Sequence, residues 1–153
     1  KEYEKVPEQM VLHNQEKNIE ELLHSYVAAF LLQCRWNIER AISIILSVVG
    51  YGGVLGICHI SEARDRDNKV WGEVVAIYLL LEIWGSGQGS ELLRYALGKL
   101  KKNGFRNICL WVMKGNIRAR KFYEKNGFQI SGKEREIEIA ECRVSEVEYI
   151  YYG

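Results

Sequence analysis

Residues 84–90 read Trp-Gly-Ser-Gly-Gln-Gly-Ser and join a nearly continuous apolar run to an amphipathic helical pattern. No other segment restricts the fold as much. Glycines at 85, 87 and 89 let the backbone approach a ligand closely, with no Cβ atoms in the way. The helix that follows aims unpaired N–H groups and the positive end of its dipole at the same place. Strand, glycine turn and helix together make a cradle for a phosphate or pyrophosphate.

The rest of the chain agrees with an α/β reading. Ile19, Leu22, Leu23, Tyr26, Val27 and Phe30 recur at helical spacing, within a helical pattern from about Asn18 to Ser47. A second helix within it is expected from about Ile38 to Leu46. Val48–Tyr51 and Val54–Ile60 flank Gly52-Gly53, a hairpin signal. Glu62–Lys69 reads as a charged loop and Glu73–Leu81 as a strand covered on both faces. From Ser90, the residues Leu92, Leu93, Ala96, Leu97 and Leu100 form one helical stripe that Asn103-Gly104 ends. Phe105–Met113 reads as a strand and Ile117–Lys125 as a helix closed by Asn126-Gly127. Phe128–Lys133, Arg135–Ala140 and Val144–Tyr152 read as strands, the last two alternating as in an antiparallel hairpin. The expected architecture is one α/β domain over residues 1–153 with a mixed sheet.

Composition excludes several function classes. Lys and Arg total 21 against 20 Asp and Glu, a net charge of +1. That balance gives no electrostatic case for nucleic acid or an anionic membrane as partner. Cys34, Cys58, Cys109 and Cys142 lie far apart, which suits free thiols in a reducing cytoplasm. His13, His24 and His59 have no ligand spacing, so no metal is expected. No signal peptide is visible, and the longest apolar stretches are too short to span a bilayer.

Three kinds of glycine-rich loop compete for residues 84–90. A P-loop ends in Gly-Lys-Ser/Thr, whereas Gly89-Ser90 is followed by Glu91. A dinucleotide fingerprint needs G-x-G-x-x-G, whereas Ser90 stands where the third glycine belongs. Gly85-Ser86-Gly87-Gln88-Gly89 instead resembles the acetyl-CoA loop of the GNAT superfamily of N-acetyltransferases, usually Gln/Arg-x-x-Gly-x-Gly/Ala. A second segment strengthens the likeness. Residues 116–128, Asn-Ile-Arg-Ala-Arg-Lys-Phe-Tyr-Glu-Lys-Asn-Gly-Phe, look like the family's Asn-x-x-Ala-x-x-Phe-Tyr-x-x-x-Gly-Phe. The resemblance is strong over about 70–128 and poor over 1–47, the variable N-terminal helical part.

The resemblance implies a mainly antiparallel sheet flanked by helices, splayed between its two central strands where the pantetheine arm lies. It implies transfer of an acetyl group from acetyl-CoA to a primary amine by direct attack. Tyr123 matches the tyrosine that sits beside the sulfur and would act as general acid to the leaving thiolate. A phenol, with a pKa near ~10, stays protonated at neutral pH. Asn116 is a preferred helix N-cap residue. The family also lets it bind the pantetheine arm, and Ala119 counts with it among the donor-binding positions. Ile77, Tyr78 and Leu79 would hold the thioester through backbone groups. Trp84, Gly85, Ser86, Gly87, Gln88, Gly89 and Ser90 would line the pyrophosphate.

Two positions depart from the pattern. Trp84 stands where the family has Gln or Arg, so the side-chain grip on the pyrophosphate is missing or replaced. Trp111 stands five residues before Asn116, where ribosomal-protein acetyltransferases carry a glutamate base. Glu73 is the substitute, placed by period-2 parity on one face with Val75, Ile77 and Leu79. Lys114, Arg118, Arg120, Lys121 and Lys125 form a basic cluster from which one or two residues would meet the CoA phosphates. Glu62, Asp65 and Asp67 would attract a cationic acceptor. The expected acceptor is a small-molecule or peptide amine, and the expected state a monomer or homodimer. The alternatives are an acyl-CoA sensor without turnover and the same chemistry with a propionyl or succinyl group.

Overall fold

The computed structural model describes residues 43–50, 53–63, 70–139 and 142–153. Six strands run in chain order: β1 (Ser43–Gly50), β2 (Gly53–Glu62), β3 (Trp71–Leu79), β4 (Asn107–Met113), β5 (Gln129–Ile139) and β6 (Cys142–Tyr152). Helix α1 (Gln88–Lys102) links β3 to β4, and α2 (Ile117–Lys125) links β4 to β5. The strands form one sheet in the order β1-β2-β3-β4-β6-β5. Every neighbouring pair is antiparallel except β3 with β4. This is the mixed, mainly antiparallel α/β sheet that the sequence implied.

Some segments differ from expectation. The helix expected over Ile38–Leu46 is corrected at its described end: Ser43–Leu46 belong to β1. Ile44, Ile45, Val48 and Val49 are β-branched, and β2 offers a partner for the whole segment from Ser43↔Ser61 to Gly50↔Gly53. A short apolar run has no decisive period, so the ladder wins. Residues 1–42 and 64–69, on which most of the expected N-terminal helical pattern and of the expected charged loop fall, lie outside the described residues. The expected strands Phe128–Lys133 and Arg135–Ala140 are one strand, β5, whose register against β6 slips between Ile130 and Glu134. Gly132, at φ 86°, lies inside that slip and absorbs it as a bulge rather than a break. β3 starts at Trp71 and stops at Leu79, and Leu81–Ile83 form a single 3-10 turn. Helix α1 starts at Gln88, ahead of the expected Ser90.

The register assigns each side chain to a face. On one face lie Cys58 and Ile60 of β2, Val74 of β3, Ile108, Leu110 and Val112 of β4, and Val147 and Tyr149 of β6. Both helices pack here. Leu92, Leu93, Ala96, Leu97 and Leu100 of α1 and Tyr123 of α2 complete the core. Each leucine of the α1 stripe contributes roughly 2 kcal/mol by leaving water.

Pairing puts Glu73 on the opposite face. His59 pairs with Ala76 and Ile60 with Val74, so Val75 has no partner and β3 carries one extra residue. Parity reverses across that bulge. Glu73 therefore shares its face with Ser61 and Cys109, its cross-strand neighbours, and not with Ile77 and Leu79. The period-2 placement of Glu73 is corrected by one inserted residue.

Candidate active site

The two central strands pair only at one end. Their parallel ladder consists of Trp71↔Asn107, Gly72↔Ile108 and Glu73↔Cys109, and stops there. Beyond it the β4-facing edge of β3, from Val74 to Leu79, has no strand paired with it among the described residues. Glu73, 4% exposed, sits at the fork. An unladdered strand edge presents backbone donors and acceptors that an extended ligand can complete as a further strand does.

The glycine loop lies at the far end of that edge. Ile83, 5% exposed, anchors the turn. Ser86 Oγ donates to the Ile83 carbonyl at 2.7 Å. Gly85 and Gly87 have φ of 79° and 91°, the left-handed region that a side chain resists, and the space a Cβ would take is open at both. Gly87 is the N-cap of α1 and brings no capping side chain. Gln88 N–H donates to Ser86 Oγ at 3.4 Å, and the first turn of α1 otherwise has no side-chain cap, an arrangement able to accept an anion. Gly89 is required for another reason. A Cβ there would stand 2.5 Å from Leu79 Cδ1 and 3.5 Å from Phe122 Cε2. The start of α1 is packed tightly between the end of β3 and helix α2.

Trp84 turns its indole nitrogen back to the strand. Nε1 donates to the Leu79 carbonyl at 2.9 Å, so the loop folds back on the strand it leaves. That engages one backbone acceptor of the expected thioester-binding trio. Ile77 and Leu79 rest partly on the core, whereas Tyr78 is half exposed on the opposite face. Ser90 is half-buried in the first turn of α1.

Asn116 caps α2, its Oδ1 accepting from the Ala119 amide at 3.0 Å. Tyr123 projects from α2 into the core. Its ring centroid lies 5.4 Å from Phe122, 5.9 Å from Phe128 and 6.5 Å from Tyr149. Burial pushes its phenol well above the ordinary value, and Cys58 and Tyr78 push it further. Cys58 stands directly opposite Ile77 on the neighbouring strand. The tertiary fold therefore sets a buried phenol of raised pKa on the side of β3 where Ile77 lies.

The basic cluster divides by position. Lys114 is held by Glu134 at 2.8 Å. Arg120 Nε donates to the Tyr149 hydroxyl at 3.1 Å, and that hydroxyl donates to Glu124 at 2.6 Å. Lys114 thus ties the turn before α2 to β5, and Arg120 ties α2 to β6. The Arg118 guanidinium lies 3.5 Å from the centroid of the Trp84 ring. Lys121 and Lys125 are exposed.

Sequence reasoning missed a feature of the other face. The four buried polar or charged side chains among the described residues, His59, Ser61, Glu73 and Glu148, all lie there. Glu148 is 1% exposed, accepts from Ser131 Oγ at 2.6 Å and stands directly across from Trp111. The carboxylate missing at position 111 is thus present one strand away. Strand alternation in β6 was the only available signal. Arg135 lies 4.2 Å from the Trp111 ring centroid and is bridged to Glu146 at 2.8 Å. Asp65 and Asp67 fall outside the described residues. Among those residues no group of three or more His, Cys, Asp or Glu could hold a metal, and no helix is long and apolar enough to cross a membrane.

Comparison with known proteins gives a consistent family. The model of the acetyltransferase (GNAT) family matches residues 9–128. An uncharacterized N-acetyltransferase of Mycobacterium tuberculosis is 32% identical over 88 residues, 58% of this chain and 54% of that protein. The chain spans about half the length of the curated relatives it matches. An acetyltransferase from Bacillus anthracis, solved in complex with acetyl coenzyme A, superposes with a TM-score of 0.62 at 20% identity, covering 76% of this chain and 65% of that one. The ribosomal-protein-alanine N-acetyltransferase of Brucella melitensis superposes with a TM-score of 0.64 at 14% identity, covering 86% and 77%. At such identities the structural likeness concerns the fold.

Proposed function

The chain belongs to the GNAT acetyltransferase family, and from that premise we propose that it transfers an acetyl group from acetyl-CoA to a primary amine. The observation that carries this reading is the fork between β3 and β4, with the glycine cradle at its open end and Tyr123 against its side. The residues fit such a donor. Gly85 and Gly87 leave open space for a diphosphate at the first turn of α1, and the unladdered edge of β3 suits the amide-bearing pantetheine arm. The donor supplies an activated acyl thioester.

The residues divide the work between the two faces of the sheet. Backbone groups of Ile77, Tyr78 and Leu79 orient the thioester. Asn116 and Ala119, at the start of α2, sit beside the arm. Tyr123 faces the sulfur from the helix side. Its raised pKa makes it a hydrogen-bond donor that stabilises the departing thiolate, in preference to a group that ionises readily. Glu73, buried at the fork on the opposite face, is the candidate base. Its carboxylate takes the amine's proton directly or through a water, because an ammonium has no lone pair for attack. Cys58 is a free thiol, in keeping with a reducing cytoplasm.

The test is CoA thiol release from acetyl-CoA across a panel of polyamines, amino acids, aminoglycosides and peptide N-termini, with Tyr123→Phe in parallel. Turnover on some amine, strongly reduced in the variant, supports the reading. Tight acetyl-CoA binding without turnover on any amine supports an acyl-CoA sensor. Absence of both overturns the assignment.

A further inference from the structure

The cradle has a departure at its entrance, and the fold places a cation there. Position 84 carries Trp where the family's loop carries Gln or Arg. The indole lies across the loop, tied by Nε1 to the Leu79 carbonyl, and is 41% exposed. Arg118 lies flat on it, 3.5 Å from centroid to Cζ. A guanidinium on an aromatic face keeps its N–H donors in the ring plane's direction, open to an anion. Among the described residues Arg118 has no carboxylate partner. Arg118 and Phe122 are one helical turn apart on α2, and Phe122 lies beside the position that a Cβ on Gly89 would take. One side of α2 therefore faces both the loop and the first turn of α1. Lys114 and Arg120 are turned to β5 and β6 instead.

We propose that Arg118, shelved on Trp84, is the cation that binds the donor's diphosphate, and that Trp84 is a positioning residue that holds it there. Helix α2 supplies the charge that the side chain at position 84 does not carry. This rests on the acetyl-CoA reading above. A planar fork suits two adjacent phosphates bidentately, whereas a lysine at 118 would give a mobile point charge.

The experiment is calorimetric titration of the native chain, Arg118→Ala, Arg118→Lys, Trp84→Ala and the Arg118→Ala/Trp84→Ala double variant. The ligands are acetyl-CoA, its 3′-dephospho form and acetylpantetheine, which has no diphosphate. Arg118→Ala is expected to weaken acetyl-CoA and its 3′-dephospho form alike, by roughly 10-fold to 100-fold. Acetylpantetheine affinity is expected to stay constant in Arg118→Ala and Arg118→Lys. Trp84→Ala is expected to weaken the two diphosphate ligands several-fold, and the double variant no more than Arg118→Ala. Trp84→Arg introduced into Arg118→Ala restores affinity. Unchanged acetyl-CoA affinity in Arg118→Ala overturns the proposal, as does a deficit that vanishes with the 3′-dephospho ligand. Additive deficits in the double variant overturn the positioning role. If the native chain binds no acetyl-CoA, the functional reading falls and this proposal with it; native binding with an indifferent Arg118 overturns this proposal alone.

Discussion

The two faces of the sheet are built on different terms. The face under α1 and α2 is apolar from Cys58 to Tyr149, with Tyr123 its one proposed chemical group. The opposite face holds His59, Ser61, Glu73 and Glu148, all buried and all polar. Burying an unsatisfied polar group costs about 1–3 kcal/mol, so such a set persists only with hydrogen-bond partners or a use. The contrast matches the division of labour proposed above, donor on the helix face and acceptor on the other. The fork between β3 and β4 is the one described place where both faces reach the same backbone edge.

The largest effect that would break this contrast is at Tyr123. Tyr123→Phe keeps the ring packing and is expected to lower kcat by about 10²-fold or more, leaving acetyl-CoA affinity unchanged. Because burial holds the phenol above its ordinary pKa, the native rate is expected to persist on the alkaline side up to pH ~10. A variant with native kcat would remove the helix face from the chemistry.

Glu73→Gln probes the other face. Its rate should fall by about 10–10²-fold near neutral pH, and the deficit should shrink as pH rises and the amine sheds its own proton. Donor affinity should not change. Equal decreases in donor binding and rate would erase the distinction between faces.

Packing of the loop gives the next effect. Gly89→Val places atoms inside Leu79 and against Phe122, and is expected to cost about 1–3 kcal/mol in a denaturant titration. Asn116→Ala removes the α2 cap and should cost about 1 kcal/mol, read the same way. Its effect on activity should exceed its effect on stability if the side chain also meets the pantetheine arm.

The smallest effect is alkaline. Burial raises the Cys58 thiol from 9.0 to about 12. Above pH ~9 the unfolded chain loses a proton that the folded chain keeps, so stability falls as pH rises through that window. Cys58→Ala should flatten the slope by at most ~1.4 kcal/mol per pH unit, measured by urea unfolding at pH 8 and pH 10. An unchanged slope would show that the thiol is not buried against the helices.

Much of the helix face was legible beforehand. The glycine turn, the Leu92–Leu100 stripe and the Asn116–Phe128 segment are local patterns, each set within one or two turns of chain. The opposite face was illegible for the same reason. His59, Glu73 and Glu148 come from three strands, and each taken singly is an ordinary polar residue of a strand. The face of Glu73 was misassigned because a single unpaired residue, Val75, inverts parity without leaving any mark in composition.

Local sequence determined which segments are helix and strand from Trp71 onward, the glycine turn and the placement of Tyr123 on a helix, because backbone preference and side-chain period act over neighbouring residues. Only the tertiary structure decided that Ser43–Leu46 join a strand, that β3 and β4 part after Glu73, and that Arg118 rests on Trp84. Each depends on what lies across space from a residue, and a ladder partner, a bulge or an aromatic shelf leaves no periodic trace in the chain that uses it.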